Sequence, residues 1–245
     1  MRIKLTISYN GASFMGSQTQ NTTSNTVLGL LEKALFRLGI KTRPIASGRT
    51  DRGVHATRQV LHFDAPPFWS DISRLKHSLS FQLPDTVTIR AIEYADNDFH
   101  ARYSAKKRTY RYIISNKAPN PFEADLVTFV SSLNFEKISS AIRLFEGEHD
   151  FTYFKKSGSN EKHCRRTIFK AFAYQHRGYT ILIFEANGFL RAQIRLMVGF
   201  LLGISGGKLS EKQLLEQLEC KTVHNRKPAP HNGLYLARIT YGLSV

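Results

Sequence analysis

The stretch Ser47-Gly48-Arg49-Thr50-Asp51-Arg52-Gly53-Val54-His55-Ala56 gathers residues that can do chemistry. One carboxylate, Asp51, sits between two glycines, which let a backbone turn sharply and come close to a ligand. Arg49, Arg52 and Arg58 are its sequence neighbours, and a guanidinium brought near in space favours the charged form of an acid. That combination suits a carboxylate acting as an anion, either as a nucleophile or as the stabiliser of a developing cation. An aspartate that caps a turn and pairs with an arginine is the structural alternative at this point. Other chemistry finds little support. His55, His62, His100 and His149 fall in unrelated segments without ligand spacing and read as structural histidines, so no metal is expected. The run Gly203-Ile204-Ser205-Gly206-Gly207-Lys208 has the wrong spacing for a phosphate-cradling loop, which excludes nucleotide hydrolysis.

The charge around this motif points to a polyanionic partner. Thirty-five Lys and Arg against 19 Asp and Glu give a net charge of +16 over 245 residues. The excess is patterned. Residues 100–117 hold Arg102, Lys106, Lys107, Arg108, Arg111 and Lys117 with no acid, and residues 155–177 hold seven cations, Arg165 and Lys162 among them, against Glu161 alone. An acidic segment lies between them, a pattern that phosphate contact explains better than a demand for solubility. Tyr103, Tyr110 and Tyr112 are interleaved with the first block, and an unstacked base can lie on such a ring. On a strand Tyr110 and Tyr112 share one face, so at least one of them is expected in the core.

The elements that must position these groups follow from periodicity. Alternating Ile3, Leu5, Ile7 and Tyr9 predict a half-buried first strand rather than a signal peptide. A helix follows, with Val27, Leu30, Leu31, Ala34, Leu35 and Leu38 at 3.6-residue spacing before Gly39. Further strands are expected at 60–63, 87–94, 109–114, 169–174, 180–186 and 235–241, and helices at 134–146, at 189–202 and from the capping box that opens at Ser210. Strands and helices do not alternate strictly, which predicts an α+β fold with a large, mostly antiparallel sheet and helices on one face. A split near 116–125 divides the chain into halves 1–117 and 118–245. The most apolar helix is far shorter than a bilayer requires, so no membrane segment is expected. Two distant cysteines, Cys164 and Cys220, suggest neither a disulfide framework nor a zinc site, and a reducing cytoplasm is the expected location.

Six ordered blocks of this sequence carry a resemblance. Ser47 to Ala56 resembles the G-R-T-D-x-G-V-H-A signature of the TruA-type tRNA pseudouridine synthases. Tyr9-Asn10-Gly11 through Gly16 and Gln18 is similar to the N-terminal element of that family, and Phe99-His100-Ala101-Arg102-Tyr103-Ser104-Ala105 with Arg108-Thr109-Tyr110-Arg111-Tyr112 to its F-H-A-R-F-S-A…R-x-Y-R-Y element. Glu148-His149-Asp150-Phe151-Thr152, Phe189-Leu190 with Arg195, and Ala229-Pro230…Gly233-Leu234-Tyr235-Leu236 match later blocks in order. The resemblance implies that Asp51 is the catalytic carboxylate, Tyr110 the ring on the target uracil and Arg195 the ion-pair partner of Asp51. It also implies two related α+β halves with a basic RNA-binding cleft across a shared sheet, usually as a homodimer, acting on uridines of the anticodon stem-loop of tRNA without a cofactor. Arg49, Arg52, Arg58, Arg102, Lys106, Arg108, Arg111, Arg165 and Arg191 are the expected RNA contacts.

Three positions depart from the pattern. Ser17 stands where the family usually has tryptophan, Arg52 where a small residue is common, and Arg191-Ala192-Gln193-Ile194 where His-His-Met-Val usually precedes the arginine. Spacing alone places Arg191 and Arg195 on one edge of a helix whose apolar stripe is Leu190, Ile194, Met197, Val198 and Leu201. A synthase of the same fold acting on another RNA, or an RNA-binding protein without turnover, are the competing readings.

Overall fold

The computed structural model describes residues 1–156, 158 and 163–242. Lys162 and Glu161 of the second basic block lie outside the described residues. The chain forms two compact units, one of residues 1–106 with 235–245 and one of residues 107–234.

In the first unit, β1 (Arg2–Tyr9) alternates buried and half-buried residues along its length, as its sequence predicts. Helix α1 (Val27–Arg37) begins where the Thr26 hydroxyl accepts the Gly29 N–H at 3.1 Å and buries Val27, Leu28, Leu31, Ala34 and Leu35. It stops at Gly39, whose φ of +75° suits a residue without Cβ. The short β2 (Ile45–Ala46) and the long β3 (His55–Asp64) flank the Asp51 motif. Helix α2 (Ile72–Phe81), capped by Asp71, has no counterpart among the sequence expectations. It buries Leu75 and Leu79 beside a half-buried Ile72, a short apolar stripe at helical spacing. β4 (Val87–Tyr94) then pairs antiparallel with β1.

The boundary between the units falls within β5 (Ala105–Ser115). In the second unit β5 pairs antiparallel with β9 (Tyr179–Ala186), which pairs with β8 (Arg165–His176), which pairs with β7 (Gly147–Asp150). The short β6 (Thr128–Phe129) runs parallel to β5. Helix α3 (Phe135–Ala141) is shorter than expected because its last turn tightens into a 3₁₀ helix, Ile142–Phe145, ahead of Gly147. Helix α4 (Gln193–Ser205) buries Ile194, Met197, Val198 and Leu201 of the expected stripe, whose fifth member Leu190 lies ahead of the helix, and α5 (Glu211–Leu218) carries the capping box of Ser210 and Gln213. The chain returns to the first unit with β10 (Leu234–Tyr241), parallel to β3, giving that unit the strand order β4-β1-β3-β10. Pairing is thus mostly antiparallel in each unit, and the class is α+β. No helix among the described residues is long and apolar enough to cross a membrane.

Two expectations about α4 are corrected. It begins at Gln193, not at 189, because Ala192 adopts a left-handed φ of +59° and the Gln193 side chain accepts the Leu190 N–H at 2.7 Å, closing a turn ahead of the helix. Arg191 therefore lies outside the helix and does not share an edge with Arg195.

Candidate active site

In the first unit the loop between β2 and β3 presents Asp51. Gly53 has a φ of +74°, and the Val54 N–H donates to the Asp51 carbonyl at 3.1 Å, so residues 51–54 form a tight turn that needs glycine at its third position. The N-terminal Tyr9-Asn10-Gly11 element packs directly on this turn. A Cβ on Gly11 would stand 2.1 Å from the Val54 carbonyl oxygen, so only glycine admits the contact. The Gly11 N–H donates to His55 Nδ1 at 3.0 Å, and the His55 ring stacks on Tyr235 with centroids 4.6 Å apart. His55 is accordingly a fixed structural side chain.

Thr50, just before the carboxylate, is buried, and its hydroxyl shares a 2.8 Å hydrogen bond with that of Tyr9, whose burial pushes its pKa up to about 12. Asp51 is half-buried, whereas Arg49, Arg52 and Arg58 are exposed. Arg49 donates from Nε to the Gln18 side chain at 2.9 Å, and among the described residues none of the three arginines pairs with Asp51.

The Phe99-to-Ala105 block belongs to the same unit. His62 Nδ1 accepts the Ala101 N–H at 3.1 Å, and the Tyr241 hydroxyl donates to the Ala101 carbonyl at 2.8 Å. His100 Nδ1 accepts the N–H groups of Arg102 and Tyr103, and the Tyr103 ring lies on His100 with centroids 4.3 Å apart. Burial, helped by the neighbouring His100 and Arg2, lowers the His62 pKa to about 4. Arg102 and Lys106 are exposed beside this turn.

In the second unit three further blocks converge. Tyr110 on β5 is 8% exposed and meets Phe189 edge-on, whereas Tyr112 is fully buried, with its hydroxyl on Thr128 Oγ1 and on the Pro230 carbonyl, each at 2.7 Å. Tyr112 is the core tyrosine of the pair. Arg195, in the first turn of α4, donates from Nε to the Ala229 carbonyl at 2.8 Å, while the Ala229 N–H donates to the Arg195 carbonyl at 2.8 Å. The close approach of this segment is enforced at Gly199, where a Cβ would stand 2.1 Å from the Lys227 carbonyl oxygen. Among the other basic residues, Arg108 donates to the Asn187 carbonyl at 2.7 Å, Arg111 is half-buried on β5, Arg165 pairs with Glu148 at 3.3 Å on the surface, and Arg191 is exposed. The Glu148-to-Thr152 block is structural in character. Asp150 accepts from both the N–H and the hydroxyl of Thr152, which holds its pKa down, and Phe151 is fully buried.

A model of the tRNA pseudouridine synthase family matches residues 5–104 and 141–242, which takes in the Asp51 loop, the Phe99 block and the α4 segment. The chain belongs to this family. It is 40% identical over 241 residues to tRNA pseudouridine synthase A of Campylobacter jejuni, covering 98% of this chain and all of that one. It is similarly related to tRNA pseudouridine synthase A of Helicobacter hepaticus, at 39% identity over 97% of this chain and 98% of the relative, and of Helicobacter pylori, at 37% over the same shares.

Within this pseudouridine synthase, residues beneath and beside the motif carry roles that the sequence does not announce. Phe189 stands in a motif block, and only the fold makes it the wall of Tyr110. Tyr9, Ser17 and Gln59, buried polar groups around the Asp51 loop, carry one legible signal. Gln59 stands in sequence between Thr57 and Leu61 on one face of β3, at a position that is 1% exposed.

Proposed function

We propose that this tRNA pseudouridine synthase isomerises uridine to pseudouridine in the anticodon stem-loop of tRNA, with Asp51 as the catalytic carboxylate. The reaction breaks the N1–C1′ glycosidic bond, turns the uracil, joins its C5 to C1′ and returns the C5 proton to solvent while N1 takes one up. Atoms and electrons balance with no redox partner. An anionic carboxylate is a sufficient initiator, through attack or through stabilisation of positive charge at C1′. The observation that carries the reading is the half-buried Asp51 on a tight loop whose flanking residue Thr50 is held in the core.

Tyr110 supplies a ring for the extruded uracil, offsetting part of an unstacking cost of a few kcal/mol. Arg195 supplies positive charge for the carboxylate or the RNA. The exposed Arg49, Arg52, Arg58, Arg102, Lys106 and Arg191, together with Arg108, Arg111 and Arg165, serve the phosphates. We further propose a cytoplasmic homodimer, in keeping with the family resemblance and with cysteines that are unpaired. Light scattering in solution checks the stoichiometry.

The test of the activity is Asp51→Asn, which keeps the shape of the side chain and removes its charge. Tritium release from C5-labelled uridine in tRNA is expected to vanish while tRNA affinity stays within a few fold of wild type. Release at one per cent of the wild-type rate or more sinks Asp51 as the essential group. Sequencing pseudouridine in tRNA from cells with and without the gene locates the modified position, and an unchanged anticodon arm sinks the choice of stem-loop.

A further inference from the structure

Because a peptide unit is planar, one hydrogen bond to its carbonyl or its N–H orients the whole unit. The backbone leading to Asp51 is held in this way three times in succession. The unit joining Gly48 to Arg49 is held by Gln59, whose Nε2 donates to the Gly48 carbonyl at 2.9 Å. The unit joining Arg49 to Thr50 is held by Ser17, whose Oγ accepts the Thr50 N–H at 2.8 Å. The unit joining Thr50 to Asp51 is held by Ser17 again, whose own N–H donates to the Thr50 carbonyl at 3.1 Å. Gln59 is itself oriented, since its Oε1 accepts the Ser47 hydroxyl at 2.7 Å. Ser17, Ser47, Thr50 and Gln59 are each no more than 6% exposed.

We propose that Ser17 and Gln59 are positioning residues of the reaction, clamping consecutive peptide units so that the Asp51 carboxylate is delivered at one fixed place and angle. The inference rests on the reading of Asp51 as the catalytic group. A buried polar network whose members satisfy one another rigidifies the segment it holds. The α-carbon of Asp51 is part of the same planar unit as the clamped Thr50 carbonyl, so a tilt of that unit moves the carboxylate. A displacement of about 1 Å at a reacting group costs on the order of a hundredfold in rate. The clamp grips backbone only, which leaves the side chains of Arg49 and Asp51 outside it. Ser17 holds two of the three units, and its Oγ also donates to the Thr50 carbonyl at 3.4 Å, so Ser17→Ala removes both side-chain contacts and leaves the one from its backbone N–H.

The experiment measures pseudouridine formation on tRNA under single-turnover conditions with saturating enzyme, beside tRNA affinity and thermal unfolding, for the full chain carrying Ser17→Ala or Gln59→Met. The expected result is a rate lowered roughly tenfold or more, affinity within threefold of wild type, and faster amide exchange at Thr50 in Ser17→Ala. Ser17→Cys keeps the volume and a weak acceptor, and it is expected to fall between wild type and Ser17→Ala. If Ser17→Ala melts near the assay temperature, the Cys and Met variants decide. Folded variants that turn over within twofold of wild type overturn the clamp, and so does a loss that lies entirely in affinity. An inert Asp51→Asn beside a fully active Ser17→Ala removes the clamp alone. An active Asp51→Asn removes the reading on which it rests.

Discussion

Tyr110 and Phe189 meet edge to face, with ring centroids 5.3 Å apart and planes at 83°. Phe189 thereby fixes the plane of Tyr110, and a ring with a fixed plane loses little further freedom when a base stacks on it. Tyr110→Phe keeps this geometry and is expected to bind tRNA as wild type does. Tyr110→Ala is expected to lose about 1–3 kcal/mol of base stacking. Fluorescence titration of tRNA against the three proteins checks this, and equal affinity for the Ala variant excludes a stacking role.

Arg195 is tied by its Nε to the Ala229 carbonyl, an arrangement that a lysine cannot copy while also sending charge beyond it. Arg195→Lys is expected to retain tRNA affinity within a few fold and to lose most of the single-turnover rate, with Arg195→Met lower still. A Lys variant as fast as wild type leaves charge as the only contribution of this side chain and the guanidinium geometry without a role.

His62 makes stability depend on pH. It is 4% exposed, its Nδ1 must stay unprotonated to accept the Ala101 N–H, and its pKa is lowered from 6.5 to about 4. Between these values the unfolded chain takes up a proton that the folded chain refuses. The contribution is therefore complete above about pH 6.5 and is lost as pH falls toward 4, to a limit of about 3 kcal/mol. His62→Gln retains an acceptor without a titrating proton. Urea unfolding at pH 7 and pH 5 is expected to show a smaller drop for this variant, and an identical drop removes His62 as the source.

Binding of tRNA is expected to weaken steeply with salt, each neutralised phosphate contributing a slope of about 0.7–0.9 in log affinity against log salt. Exposed Arg52, Arg58 and Arg102 each share in this. A single change to alanine is expected to reduce the slope by about one and to weaken all RNA sequences alike. Titration at four salt concentrations measures it, and slopes unchanged by all three substitutions place the RNA elsewhere.

The sequence by itself determined much of this protein. Period-two alternation in residues 2–9, the β-branched and aromatic content of residues 87–94, and the 3.6-residue spacing of Val27, Leu31, Ala34 and Leu35 are local features, so those elements were legible. Asp51 stands out in the sequence through the resemblance of its motif and five further ordered blocks to one family, since its glycines and arginines alone leave a turn-capping aspartate as the alternative. Only the tertiary structure decided the rest. Helix α4 starts late because Ala192 takes a left-handed turn that no composition rule anticipates for alanine. The bond from Ser17 to Thr50 joins residues 33 positions apart, and that from Gln59 to Gly48 crosses the loop between two strands. Hydrogen-bond partners at such separation are chosen by packing, and a buried polar side chain declares in sequence only that it needs a partner, not which one.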